Sequence, residues 1–144
     1  MINKLIGKNT TIDDIKLDML KVHESKGGSL VAIDETQAGF KIRRVFSVKS
    51  FESSLQRGKH AHRACYQYMI SVGSGAITIE CSDSQNKEIF YLEPFKHGLL
   101  IPPGIWAKQI YENNQSILNV YCSGLYDESD YINNEIEFKE FKEL

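Results

Sequence analysis

The sequence predicts an all-β domain, a sandwich or barrel, and three observations carry that prediction. About nine short apolar or alternating segments succeed one another between Leu17 and Cys122. Gly, Pro, Ser and Asn clusters punctuate them at close, regular intervals, as packed or closed β architectures require. Only residues 127–144 change character: they are acidic, with Tyr131, Ile132, Ile136, Phe138 and Phe141 at loosely helical spacing. A short C-terminal helical segment packed on the barrel is expected there.

Taken in order, residues 1–16 carry the weakest pattern. Thr11-Ile12-Asp13-Asp14 reads as a short helical turn capped by Thr or Asp. Leu17–His23 reads as a strand, with His23 structural or solvated, closed by the paired glycines of Ser25-Lys26-Gly27-Gly28. Ser29–Ile33 is a short buried strand and Thr36–Gly39 a loop. Phe40–Val48 begins with apolar/polar alternation that breaks at Arg43-Arg44. Adjacent cations there imply that one lines an interior cavity, that the strand bulges, or that both are solvated beside a bulge. Tyr66–Val72 and Ala76–Cys81 form a hairpin about Gly73-Ser74-Gly75. Lys87–Leu92, Gly98–Ile101 (stopped by Pro102-Pro103), Trp106–Tyr111 and Ser116–Cys122 complete the series.

Length and composition narrow the function. The 144 residues predict one domain, 1–144, able to bury roughly 68–70% of its unfolded surface. A net charge of −2 excludes a global polyanion-binding composition. No apolar run approaches the roughly 20 residues of a membrane span, and the N-terminus lacks a signal-like apolar core. Cys65, Cys81 and Cys122, odd in number and irregularly spaced in apolar settings, read as reduced core residues of a cytoplasmic protein.

The chemistry concentrates in Arg57-Gly58-Lys59-His60-Ala61-His62-Arg63, which holds two of the four histidines. In an extended chain His60 and His62 project to one face. Paired imidazoles ringed by fixed positive charge suit proton chemistry on an anionic ligand. The alternative is an exposed basic strand edge.

Two segments resemble the cupin signature: Gly58-x-His60-x-His62 with Gln67 and Gly73, and Gly98 followed by Pro102-Pro103-Gly104-Ile105-Trp106. A metal-binding cupin places Glu where this chain has Gln67 and His where it has Ala107. Two histidines and an amide make a poor catalytic metal site, so no metal and no cofactor are expected. Simple alternation also sets Gln67 opposite the histidines; it joins them only if the chain kinks near Arg63-Ala64.

The resemblance becomes closer over residues 27–132. Gly28–Ile33, Arg43-Arg44-Val45, Arg57–Arg63, Ile101–Trp106 and Tyr126–Ile132 fall in order, and together they look like the nucleotide-sugar 3,4-ketoisomerases. That family converts dTDP-4-keto-6-deoxyglucose to a 3-keto isomer. The resemblance implies a metal-free cupin jelly-roll barrel, usually a homodimer with exchanged N-terminal strands, acting in deoxysugar biosynthesis. It implies His60 as the base shuttling a proton between C3 and C4, and His62 as a hydrogen-bonding or relaying partner. Arg44 and Arg57 would bind the diphosphate, since guanidinium forks suit phosphate oxygens. Gln67 would orient a histidine or a sugar hydroxyl, Trp106 would stack on sugar or base or else be plain core, and Lys108 and Tyr126 complete the substrate-binding set. Family members place bulky side chains where this chain has Gly27 and Ala107, beside C4 of the sugar; Lys108 or Lys26 would fill the space. The paired-histidine geometry favours one product with an axial 4-hydroxyl. Other readings are a different nucleotide-sugar cupin (an epimerase or a non-catalytic sugar-binding module) and a metal-dependent oxygenase.

Overall fold

The computed structural model describes residues 3–52 and 56–144. Residues 1–2 of the N-terminal extension lie outside that range. The first sheet contains β1 (Lys16–Met19), β4 (Arg44–Lys49), β6 (Gln67–Ser71), β9 (His97–Ile101) and β11 (Ile117–Cys122). The second contains β5 (Gln56–His62), β7 (Ile77–Ser82), β8 (Lys87–Leu92), β10 (Trp106–Tyr111) and β12 (Tyr131–Ile132). Their orders are β1-β9-β6-β11-β4 and β12-β5-β10-β7-β8, antiparallel throughout. The two sheets close on one lumen as a jelly roll, the expected fold class.

Alternation along the strands builds that lumen. Met69, Ile77, Ile79, Leu99, Ile101, Tyr111, Leu118 and Val120 are buried in a single cluster between the sheets. The opposite faces are covered locally. The hairpin β2 (Val22–Ser25) and β3 (Gly28–Val31), with α1 (Glu35–Ala38), packs Val22, Val31 and Ala38 on Tyr68 and Ile70 of the first sheet. Helix α2 (Glu135–Lys142) lays Phe138 and Phe141 on Ala61 and Ile132 of the second. Burying each phenyl group there contributes about 1.5–3 kcal/mol. Asn134 caps α2, its side chain accepting from the N–H groups of Ile136 and Glu137.

The structure departs from the sequence reading in five places. Tyr66–Val72 and Ala76–Cys81 do not pair as a hairpin, because the turn at Gly73-Ser74-Gly75 carries the chain from one sheet to the other: β6 pairs with β9 and β11, and β7 with β8 and β10. The strand expected to be buried at Ser29–Ile33 is β3, exposed over Gly28–Leu30 on the outer hairpin. The strand expected over Leu17–His23 is two strands, because buried Leu20 donates its N–H to Lys96 O at 2.8 Å and turns the chain off the sheet edge. The loop at Thr36–Gly39 belongs to a one-turn helix that Asp34 caps at Thr36 N (2.9 Å) and Gln37 N (3.1 Å) and that Gly39 ends at φ +84°. The strand expected from Phe40 begins only at Arg44.

The expected turn near Asp13 exists as a 3-10 turn, Ile12–Asp14, with Thr11 and Asp14 forming a capping box. The N-terminal extension is anchored. Lys142 Nζ donates to Gly7 O (2.8 Å), Thr10 O (2.7 Å) and Gly104 O (3.0 Å), holding the extension, α2 and the Pro102-Pro103-Gly104 turn together. Among the described residues, no helix is long and apolar enough to cross a membrane.

Candidate active site

The histidine strand is bent before it reaches the site. Gly58 and Lys59 both have positive φ, +84° and +55°. Opposite them the register slips: His60 pairs with Ala107, but Gly58 pairs with Lys108 and Arg57 with Gln109. Two residues of β5 face one of β10 there, the definition of a β-bulge. Ala107 and Gln109 are buried on the lumen side of β10. Arg57, His60 and His62 therefore share the lumen face, although strict alternation would turn Arg57 away.

His60 and His62 stand edge to face, ring centroids 5.0 Å apart at 82°. Burial, and after it the nearness of the His62 ring, which disfavours a second proton on the pair, lower the His60 pKa to about 4, against the opposing pull of the Gly58 backbone. At neutral pH His60 is the free base. His62 is 5% exposed, and its Nδ1 lies 2.8 Å from Asp130 Oδ2. Asp130 Oδ1 accepts from the Ala64 N–H at 2.8 Å. Burial alone would raise the Asp130 pKa, but the hydrogen bonds from His62 and Ala64 and the electrostatic pull of His62 and Lys4 hold it below the ordinary carboxylate range.

The kink that Gln67 needs is present. Arg63 N–H donates to Asp130 O at 2.8 Å, and Gly104 N–H to His62 O at 2.7 Å, as the chain leaves the second sheet for the first. Gln67 then opposes Cys122 in β11, and its Nε2 lies 3.9 Å from Cys122 Sγ. Arg44, opposite Cys122 on the other side, donates Nη2 to the same sulfur at 3.5 Å. The guanidinium lies 5.4 Å from the Phe46 ring and 5.7 Å from the Tyr126 ring, within cation–π range. Arg44 Nε is buried with no protein partner, a donor left for a ligand. Of the two adjacent arginines, Arg44 is the inward one and Arg43 is exposed.

Tyr131 joins the two histidines, its ring 5.1 Å from His60 and 4.4 Å from His62, with Tyr126 a further 5.7 Å beyond. Asp130 and Tyr131 were not among the expected site residues. They arrive through β12, whose Tyr131 and Ile132 pair with His62 and Ala61. The two-residue strand leaves almost no periodic trace, though both residues belong to the Tyr126–Ile132 stretch that carries the family resemblance. Cys65 and Cys122 are free and buried as expected, but they share a hydrogen bond in this polar corner. That bond lowers the Cys65 pKa and raises that of Cys122.

Two expected site residues point elsewhere. On β10, Trp106 and Lys108 alternate with Ala107 and so face outward. Trp106 packs on Phe138 at 5.7 Å, and Lys108 forms an ion pair with Glu80 at 2.8 Å. They line an outer groove of about 900 Å³ together with Lys59 and Asn134. The expectation that Trp106 and Lys108 meet the sugar in the lumen is corrected on this geometry. Ala107 does face the lumen, opposite His60. No other residue comes within 4 Å of where a Cβ at Gly27 would stand, so position 27 borders no site residue of its own chain.

Ligand atoms of His62, Cys65 and Asp130 lie within 4.8 Å of one another. Part of their bonding is met within the protein, whereas His62 Nε2 has no protein partner. His62 Nδ1 and Asp130 Oδ2 engage each other, and Asp130 Oδ1 holds the Ala64 N–H.

A jelly roll with paired imidazoles, guanidinium groups and tyrosines gathered about its lumen has the architecture of a cupin. The family described as FdtA: WxcM-like, C-terminal matches residues 13–143, and the chain belongs to that family. A TDP-4-oxo-6-deoxy-alpha-D-glucose-3,4-oxoisomerase of Aneurinibacillus thermoaerophilus is 29% identical over 126 residues, 87% of this chain and 89% of the relative. Among solved structures, a mutant of the 3,4-ketoisomerase QdtA from Thermoanaerobacterium thermosaccharolyticum, in complex with TDP-4-keto-6-deoxyglucose, is 27% identical. It covers 90% of this chain and 95% of its own, with a TM-score of 0.84. The WlaRB TDP-quinovose 3,4-ketoisomerase from Campylobacter jejuni is 30% identical, covering 90% and 99%, with a TM-score of 0.82.

Proposed function

We propose that this protein is a sugar 3,4-ketoisomerase that moves the keto group of a dTDP-linked 4-keto-6-deoxyhexose from C4 to C3, in the biosynthesis of a deoxy or deoxyamino sugar. The observation that carries the reading is the neutral His60 side by side with His62 on one wall of a lumen that also presents Arg44 and Arg57.

The reaction needs two proton transfers, and the site holds two imidazoles. His60 takes the C3 proton, acidified by the adjacent carbonyl, and leaves an enediol anion. The O3 proton passes to O4, a net proton transfer between the two oxygens that falls to His62. His60 then returns its proton to C4 as the ketone forms at C3. Acid–base catalysis of this kind contributes about 10²–10⁴-fold. Arg44 and Arg57 hold the diphosphate, Gln67 orients a sugar hydroxyl or a histidine, and Tyr126, which is 67% exposed, covers the lumen mouth beside Arg44.

A homodimer fits the surface. Leu17 and Met19, two residues apart on β1, and Leu30 on the hairpin are exposed at 47%, 67% and 57%, apolar area suited to a second copy of the chain. Exchange of N-terminal strands would use between copies the β1–β9 pairing that one chain makes with itself. Unbridged Cys65, Cys81 and Cys122 suit the reducing cytoplasm.

The test is incubation of the protein with dTDP-4-keto-6-deoxyglucose in deuterated water, followed by NMR. Appearance of a 3-keto isomer supports the reading. Binding without conversion would make the protein a sugar-binding module, and deuterium at C3 or C5 with the ketone still at C4 would make it an epimerase.

A further inference from the structure

We infer that Asp130 is a positioning residue that fixes the tautomer of His62, leaving His62 Nε2 as a bare proton acceptor in the lumen. The inference rests on the ketoisomerase reading and assigns the step that moves a proton between sugar oxygens.

The hydrogen bonds leave one assignment. The Ala64 backbone N–H can only donate, so it claims Asp130 Oδ1, at 2.8 Å. Asp130 is 6% exposed and held in its ionised form by that bond and by His62. An ionised carboxylate only accepts, so the proton between Oδ2 and His62 Nδ1, 2.8 Å apart, belongs to the imidazole. In a neutral ring the other nitrogen then carries a lone pair. His62 Nε2 is buried and without a protein partner, which ordinary packing does not leave in place. The ring stands between His60 and Tyr131, so this lone pair belongs to the wall that meets the substrate.

The chemical balance follows. Nε2 accepts the O3 proton, the imidazolium formed is stabilised by Asp130, and the same proton passes to O4. Asp130 touches neither sugar nor reacting proton. Its backbone also fixes the corner, because Asp130 O accepts from Arg63 N at 2.8 Å.

Asp130→Asn tests the idea with little change in shape. Its carbonyl must stay on the Ala64 N–H, since turning the amide would set two donors against each other. The amide NH₂ then faces Nδ1, which must accept, and the proton moves to Nε2. Side-chain ¹⁵N–¹H correlation spectra of His62 read the tautomer directly. We expect the Nδ1–H form in the native protein and the Nε2–H form in Asp130→Asn. We expect kcat to fall by about 10²-fold or more, with KM and dTDP affinity within a few-fold. An Nε2–H tautomer in the native protein, or an Asp130→Asn enzyme within tenfold of native kcat despite the swapped tautomer, overturns the inference. If Asp130→Asn does not fold, the native spectrum alone decides. A native protein with the Nδ1–H tautomer but no isomerisation would sink the proposed function and leave the positioning intact.

Discussion

Arg57 and His60 project from the same face of β5 although they are three positions apart. The bulge at Gly58-Lys59 absorbs the odd residue, so Arg57 sits opposite Gln109 and His60 opposite Ala107. The cation proposed to hold the diphosphate and the proposed base are thereby placed on one wall. Gly58 makes this possible through its φ of +84°, in a region where a side chain costs roughly 1–2 kcal/mol. A Cβ there would also stand 3.1 Å from Ala107 O. Gly58→Ala should therefore lower unfolding free energy by about that amount and weaken dTDP binding as the strand relaxes. Chemical denaturation and calorimetry check both, and an unchanged protein would mean that the bulge does not need glycine.

Arg44→Ala and Arg57→Ala should each weaken dTDP binding by about 1.5–3 kcal/mol, the range for a charge-assisted hydrogen bond. Arg44 carries the sharper expectation because its buried Nε has no protein partner. Isothermal titration reads the affinities. Native-like binding in both variants would remove these residues from the diphosphate site.

His60→Asn should abolish turnover while leaving nucleotide-sugar affinity within a few-fold, because a base acts in the transition state and not in ground-state binding. Residual turnover above about a tenth of native would place the base elsewhere.

The same residue governs acid stability. With its pKa lowered to about 4 in the fold, against 6.5 for the unfolded chain, His60 binds its proton more readily when unfolded. Its contribution is complete above pH 6.5 and is lost as pH falls from there towards 4. The amount is on the order of 3 kcal/mol. Urea titrations at pH 7 and 4.5 should show a smaller loss in His60→Asn than in the native protein. An equal loss would mean that His60 titrates normally.

The lumen was legible in the sequence because its strands alternate and its turns carry Gly and Pro. The histidine pair followed from the same rule, since His60 and His62 lie beyond the bulge and obey simple alternation. Arg57 was named through the family resemblance, but its face could not be read from spacing: the register slip at Gly58-Lys59 depends on β10, which lies some fifty residues away. Trp106 and Lys108 show the converse. Alternation about Ala107 already placed them on the outer face, and the resemblance outweighed it. Asp130 escaped because a short acidic run reads as solvated surface until β12 docks on β5 and buries it.

The configuration at C4 is the last expectation. Ala107 faces the lumen opposite His60 and offers only a methyl group, and a Cβ at position 27 would meet no residue of its own chain beyond its neighbours. No side chain at either position screens one face of the enediol. The outcome then depends on where the base stands. In a gluco-configured chair the C3 hydrogen and the hydrogen of an equatorial C4 alcohol lie on opposite faces of the ring. One imidazole that lifts the first and delivers to C4 without changing face must leave the new hydrogen equatorial and the 4-hydroxyl axial. We expect this galacto isomer as the dominant product. Trapping the labile 3-keto sugar with a 3-aminotransferase and measuring the H3–H4 coupling reads it: a small coupling supports one-base delivery from His60, and a large one rejects it. A mixture would require a second donor on the other face. Lys108, paired with Glu80 outside the lumen, is unsuited to that role, whereas His62 and Tyr131, with rings 5.0 and 5.1 Å from His60, are the groups within reach.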